Sequence, residues 1–475
     1  MLIWFIAVYL LISIAIGLFA ATKVHNSRDY VVAGRSLPLY IVTATVFATW
    51  YGSETILGTS ATFLQNGLRG IVADPFGASM CLILAGLFFA RKLYRMNLLT
   101  IGDYYRQRYG RSVELLTSIA IVISYLGWVS AQITALGMVF SLVSNGQITP
   151  HDGMLLGTAI VLVYTLLGGM WSIALHDFLQ MNVVLIGMLY IGWLLSKDAG
   201  GAMHVVRHAQ AAGKFAFWPA PTAPDILAFV GAWVTMMLGS IPQQDVFQRI
   251  MSAKNEHVAV QGSVLGGGMY FVFAFIPIFL AYSATLIDPA LVKHLIGTDP
   301  QHILPDLILH QTPVFAQIMF FGALLSSIMS TSSATLLAPS ITFTENIVKP
   351  LISHWSDRRL LFAMRTVVVA FAGLVALYAL SSNASIFNMV ENAYKVTLVA
   401  AFIPLAFGLY WKRANTQGAL LAIFAGTGSW LWLEIFNPDG LWPPQLFGLL
   451  MSLAGMLAGS LLPDFLPRRS HRQSA

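Results

Sequence analysis

Charge is what this sequence has least of. Asp, Glu, Lys and Arg make up 10% of its 475 residues, whereas a soluble domain carries about 25%. Hydrophobic residues reach 57%, and the mean hydropathy is +0.73. A large core cannot absorb that deficit, so the composition excludes an ordinary soluble domain and points to a chain whose solvent is lipid. Cysteine is nearly absent: Cys81 stands alone, which excludes an intramolecular disulfide and a thiolate metal centre. The net charge of +6 lies in short loops between apolar runs, which excludes a nucleic-acid surface. No nucleophile–base pair, zinc motif or phosphate-binding glycine loop is present, so neither enzyme chemistry nor an organic cofactor is expected. His204 and His208 have i, i+4 spacing but no accompanying carboxylate, and read as loop residues. No basic segment precedes the apolar run 2–20, which therefore reads as a span rather than a cleaved leader.

What the sequence has is apolar runs of about 20 residues, enough for about thirteen helices. They fall near 2–22, 37–64, 70–94, 112–145, 151–169, 171–196, 225–248, 258–287, 312–347, 359–380, 385–411, 416–436 and 442–462. The expectation is an all-α polytopic membrane protein forming a single transmembrane domain over 1–475. Alternate loops collect 19 of the 26 Lys and Arg residues. The positive-inside rule then places the N-terminus outside and the C-terminus in the cytoplasm. Short loops and the single cysteine point to a bacterial inner membrane.

With 2–22 set aside as an extra N-terminal helix and 416–462 as two extra C-terminal helices, ten helices remain. They divide into 37–196 and 225–411 around an external Ala-, Gly- and Pro-rich connector, 197–224; a tail, 463–475, follows. Five is odd, so the second group runs through the bilayer in the opposite sense, the layout of an inverted repeat. The first helix of each group is interrupted, by "ATWYGSE" around Gly52 and by "LGSIPQQD" around Gly239 and Pro242. Unpaired backbone in hydrocarbon costs several kcal/mol per group, so breaks persist where they line a cavity. Paired breaks in corresponding positions point to a midplane substrate site.

Three further features carry polar chemistry. Ser327, Ser330 and Thr331 share one face of the run "FFGALLSSIMSTSSATLLAPS"; with the unwound carbonyls of 48–51 they would make an all-oxygen site suited to Na⁺. Asp177 is an acid inside an apolar run. Asn388, Glu391, Asn392 and Lys395 form a stripe on which Glu391 and Lys395 are spaced to pair.

"DYVVAGRSLP", "ATWYGSETILG", "LLTIGDYYRQRYG", "YTLLGGMWSIALHDFLQM", "IPQQDVFQRIMSAKN" and "SSIMSTSSATLLAPS" together resemble the sodium:solute symporter family. The resemblance covers most of 29–412 and implies a LeuT-like fold of five plus five inverted helices. It implies a sodium site on the carbonyls of Ala48, Tyr51 and Ser327 and the hydroxyls of Ser330 and Thr331. Asp177 and Ser333 would mark a second ion or coupling position, with Ala334 beside Ser333 lacking a hydroxyl. Glu54, Thr55 and Gln243 match solute positions of the sugar branch. The wording is most similar to the high-affinity choline transporter branch, in which Trp50 and Trp128 match aromatic positions and Gln243 replaces a Trp. Gln132, Gln244, Asn388 and Glu391 complete the expected solute set. The implied function is a sodium-coupled secondary active symporter importing a small polar or cationic organic solute by alternating access. The alternatives are proton coupling through Asp177 or Glu54 and, from another class, a membrane-embedded sensor. The expected partners are the solute, Na⁺ and the lipid bilayer, without nucleic acid or an obligatory protein partner.

Overall fold

The computed structural model describes residues 2–352 and 355–463; the expected tail 463–475 lies outside the described residues from 464 onward. Of the described residues 84% are helical, and among them one isolated parallel bridge, Leu37 to Ala253, is the only extended pairing. In lipid a helix satisfies its own backbone groups, which is why apolar runs of this length adopt it.

The principal helices are α1 (Leu2–Ala21), α2 (Leu39–Trp50), α3 (Ser60–Gly70), α4 (Val72–Arg95), α5 (Arg111–Val143), α6 (Pro150–Asp198), α7 (Ala202–Ala211), α8 (Ala223–Gly239) and α9 (Gln244–Ser252). They continue as α10 (Glu256–Ile287), α11 (Val314–Thr342), α12 (Asp357–Ser381), α13 (Ile386–Tyr410), α14 (Thr416–Phe436) and α15 (Pro444–Leu461). Side-chain caps fix several starts. Thr149 accepts from Asp152 N with Pro150 in the first turn, Asn255 accepts from Val258 N, and Ser385 accepts from Asn388 N. Each satisfies a donor that the first helical turn leaves without a partner.

Among the described residues ten helices are long and apolar enough to cross a membrane, or eleven when α8 and α9, bent by 43°, count as one span. The shortfall from about thirteen falls on two shorter apolar helices, Leu39–Trp50 and Pro150–Val163. The first is cut to 12 residues by its break. The second is continuous with the next helix in α6, whose expected boundary survives as one residue: Gly169 has φ 51° and ψ −139°. A side chain there would meet the Tyr30 ring at 2.5 Å, so glycine is required by space as well as by backbone.

The core sits where α11 packs along α6 and α5, with α13 against α5 and α2 against α10. α1 lies on α6, and α14 pairs with α15. The interior is rich in hydroxyls; along α11, Ser326, Ser327, Ser330, Thr331, Ser332, Ser333 and Thr335 are all buried.

Candidate functional site

Two interruptions organise the site. The first follows Trp50: Tyr51 leaves the helix at φ −86° and ψ 68°, and a wide turn, Glu54–Thr59, leads into α3. The second is the bend between α8 and α9, where Gln243 is extended at φ −72° and ψ 142°. Glycine permits close approach at both. A Cβ on Gly52 would lie 2.5 Å from Glu54 Oε2 and 2.8 Å from Thr331 Oγ1; one on Gly239 would lie 2.5 Å from the Tyr394 carbonyl.

At the first break the structure gathers Ala48, Tyr51, Ser327, Ser330 and Thr331. The Ala48 carbonyl accepts from Ser330 Oγ at 3.2 Å and from Thr331 Oγ1 at 3.3 Å. Ser327 Oγ donates to the Tyr51 carbonyl. Ser327 thus approaches through its hydroxyl rather than the expected carbonyl. Ser330 Oγ also donates to Asp177 Oδ1 at 2.6 Å, while Asp177 Oδ2 has no hydrogen-bond partner. Two backbone carbonyls, three hydroxyls and a carboxylate therefore converge in a buried, all-oxygen cluster. Such a donor set fits a hard monovalent cation. Ser333, one turn further along α11, donates its hydroxyl to the Ser330 carbonyl at 2.9 Å.

On the other side of the break lies Glu54, which is 3% exposed. Its Oε1 accepts from Trp128 Nε1 at 3.2 Å and its Oε2 from Gln132 Nε2 at 2.6 Å. Gln132 Oε1 in turn accepts from Ser53 N at 3.0 Å, so α5 holds the unwound strand by both ends of one amide. Thr55 Oγ1 meets Tyr270 OH at 2.8 Å. Asp74, at the start of α4, accepts from Tyr270 OH and, at 2.7 Å, from Thr59 Oγ1.

Aromatic rings form the adjoining wall. Trp50 and Trp128 meet edge to face at 5.5 Å between centroids. Tyr394 of α13 stacks on Trp50 at 5.7 Å and 10° and meets Trp128 at 5.4 Å. Tyr125 stacks on Trp128 at 5.9 Å and hydrogen-bonds the Asp245 carboxylate. Arg249, one turn beyond Asp245 and buried, donates to Thr49 Oγ1 at 2.8 Å.

Three expected solute residues are placed elsewhere; a fourth, Gln243, is buried at the second break, where its amide donates to Ser124 Oγ at 2.9 Å and Thr397 Oγ1 at 3.3 Å. Gln244 Oε1 accepts from Ile101 N at 2.9 Å, which ties α9 to the short helix Ile101–Tyr109. Asn388 is exposed in the first turn of α13. Glu391 lies on the same face and shares no ion pair with Lys395, which instead pairs with Glu434 of α14 at 3.5 Å. Of the polar stripe on α13, Lys395 reaches α14, while Tyr394, three positions on from Glu391, sets its ring against Trp50 and Trp128. Among the site residues that sequence patterns did not supply are Tyr394, an aromatic in an apolar helix, and Asp74, an acid next to a proline at a helix start.

The same architecture occurs in solved transporters. A Na⁺-coupled sialic acid symporter, in a substrate-bound outward-open state, aligns with a TM-score of 0.82 at 19% identity, covering 97% of this chain and 96% of that one. Mhp1, a nucleobase-cation-symport-1 family transporter, aligns at 0.62 and 15% identity, covering 90% and 94%. The fold is therefore LeuT-like, that of secondary transporters. The family model of the sodium:solute symporter family matches residues 30–426, and the chain belongs to that family. The human high affinity choline transporter 1 is 27% identical over 453 residues, covering 89% of this chain and 74% of that protein. The sodium/pantothenate symporter of Escherichia coli is 26% identical over 485 residues, covering 97% and 96%. The protein is a multi-pass membrane transporter, not an enzyme, and Na⁺ is its coupling ion.

Proposed function

We propose that the protein imports a small cationic organic solute together with Na⁺ by alternating access. One observation carries the choice of solute. The buried carboxylate of Glu54, which has no ion-pair partner among the described residues, is held by Trp128 Nε1, and the Trp128 ring packs against those of Trp50 and Tyr394. A carboxylate answers a positive charge, and ring faces hold an alkylated ammonium by cation–π attraction. The family resemblance leaves the cage without a Trp at Gln243, and Tyr394 supplies that wall from α13. A quaternary ammonium of the choline class, as named for the curated relatives, fits this chemistry. Trp50 lies flat on Tyr394, so the rings separate to admit the solute.

Sodium is assigned to the cluster of Ala48, Tyr51, Ser327, Ser330 and Thr331, with Asp177 behind Ser330. The ion and solute positions flank the same interruption, between the end of α2 at Trp50 and the wide turn Glu54–Thr59, so each steadies the conformation the other binds; linkage then makes their affinities rise together. The repeats are assigned to 37–196 and 225–411, with α2–α3 and α8–α9 as equivalent broken helices, thirteen spans in all. The N-terminus is placed outside and the C-terminus in the cytoplasm, in a bacterial inner membrane.

Uptake of a solute panel into proteoliposomes tests this. Quaternary ammonium compounds should be taken up only under an inward Na⁺ gradient. Uptake of carboxylates or neutral amino acids in preference to every cation, or uptake driven by a pH gradient without sodium, overturns the reading.

A further inference from the structure

We propose that a cavity between α3, α7 and α10 holds one acyl chain of an anionic membrane phospholipid. The cavity measures about 490 Å³. Its walls include Phe63 of α3, Val205 and Ala209 of α7, and Phe275, Phe279 and Tyr282 of α10. The single hydroxyl on these walls, that of Tyr282, is already engaged by His208 Nδ1 at 2.9 Å. A water molecule needs two to four polar partners and finds none to spare here. An empty space of this size forfeits dispersion contacts along every wall. The occupant is therefore apolar, and for a chain embedded in a bilayer the apolar molecule at hand is lipid.

The mouth indicates which lipid. Val206 and Phe215 also line the cavity yet keep 38% and 40% of their surface exposed, so it opens between them. Each has a basic neighbour in the chain, Arg207 beside Val206 and Lys214 beside Phe215, and the connector contains no Asp or Glu from Ala199 to Pro224. Lys214 Nζ donates to the carbonyls of Leu64 at 2.6 Å and Gln65 at 3.2 Å, which fixes its charge against the middle of α3. A phosphate headgroup is attracted to such a rim. The site also has a purpose within the fold. α3 continues from the turn that carries Glu54 and Thr55, so a chain packed behind it braces the outer arm of the solute site against α10.

The test uses the full-length protein in liposomes containing phosphatidylglycerol with a diazirine at the end of one acyl chain. Photolysis should label the peptides bearing Phe63, Val205 to Ala209 and Phe279. Ala209→Trp fills the cavity and should lower those labels at least tenfold while labels on α15 stay unchanged. Val206→Trp, which blocks the mouth from a partly exposed position, should do the same and serves if Ala209→Trp does not fold. A phosphatidylcholine probe with the same tail should label the cavity several-fold less. Labels spread evenly over the lipid-facing helices, cavity labels unchanged in both folded variants, or equal labelling by the two lipids would each overturn the proposal.

Discussion

Glu54→Gln separates charge recognition from packing at the solute site. The two side chains have nearly the same shape, so the rings and the break keep their places. Both Glu54 oxygens accept a hydrogen bond, from Trp128 at 3.2 Å and from Gln132 at 2.6 Å. A glutamine retains one acceptor and turns a donor toward a donor at the other position. The variant removes the carboxylate's attraction for the solute, and removing one partner of a buried charge pair costs about 2–5 kcal/mol of binding. Since about 1.4 kcal/mol is tenfold in affinity, KM for a cationic solute should rise by roughly 30-fold or more. The sodium concentration giving half-maximal uptake, measured at saturating solute so that linkage between the two sites drops out, should change far less than KM, because Glu54 supplies no oxygen to the sodium cluster. The assay is initial-rate uptake into proteoliposomes under a fixed Na⁺ gradient, with circular dichroism as the check on folding. An unchanged KM, or the same loss for a neutral solute of equal size, would refute the assignment of Glu54 to the cation.

Two further substitutions probe the surroundings. Tyr394→Phe keeps the ring, and the Tyr394 hydroxyl has no partner to lose, so uptake should stay near wild type; Tyr394→Leu removes the ring face and should raise KM about 2- to 30-fold, from a cation–π contribution of about 0.5–2 kcal/mol. Gly52→Ala places a methyl 2.5 Å from Glu54 Oε2 and 2.8 Å from Thr331 Oγ1; solute and sodium affinities should both fall, read as raised half-saturation constants for each in the same uptake assay.

The breaks were legible because glycine, proline and an acid inside an apolar run have few other uses in lipid. Ser327, Ser330 and Thr331 shared a face by spacing alone, and the structure sets that face against the carbonyls of Ala48 and Tyr51. Which way a face points is a tertiary fact, and there sequence patterns failed. Asn388 and Glu391 form a stripe with Lys395, but the partner across from it is Glu434, on a helix some forty positions later. Gln243 and Gln244 are neighbours in sequence, yet the extended backbone between α8 and α9 sends one amide to Ser124 and the other to Ile101. Tyr394 went unnoticed because an aromatic in a membrane helix carries no periodic signal of its own. The helix count was blurred by the same chemistry that made the site, since the break shortens α2 below the length of a span.

The central claim is that the unwound strand and the hydroxyl face of α11 together hold the coupling ion. Initial uptake by Ser330→Ala/Thr331→Ala as a function of external sodium tests it most directly. Both hydroxyls point at the Ala48 carbonyl, at 3.2 Å and 3.3 Å, so the folded double variant should show no stimulation of uptake by Na⁺ at any concentration. A sodium dependence superimposable on that of the unmodified protein would contradict it.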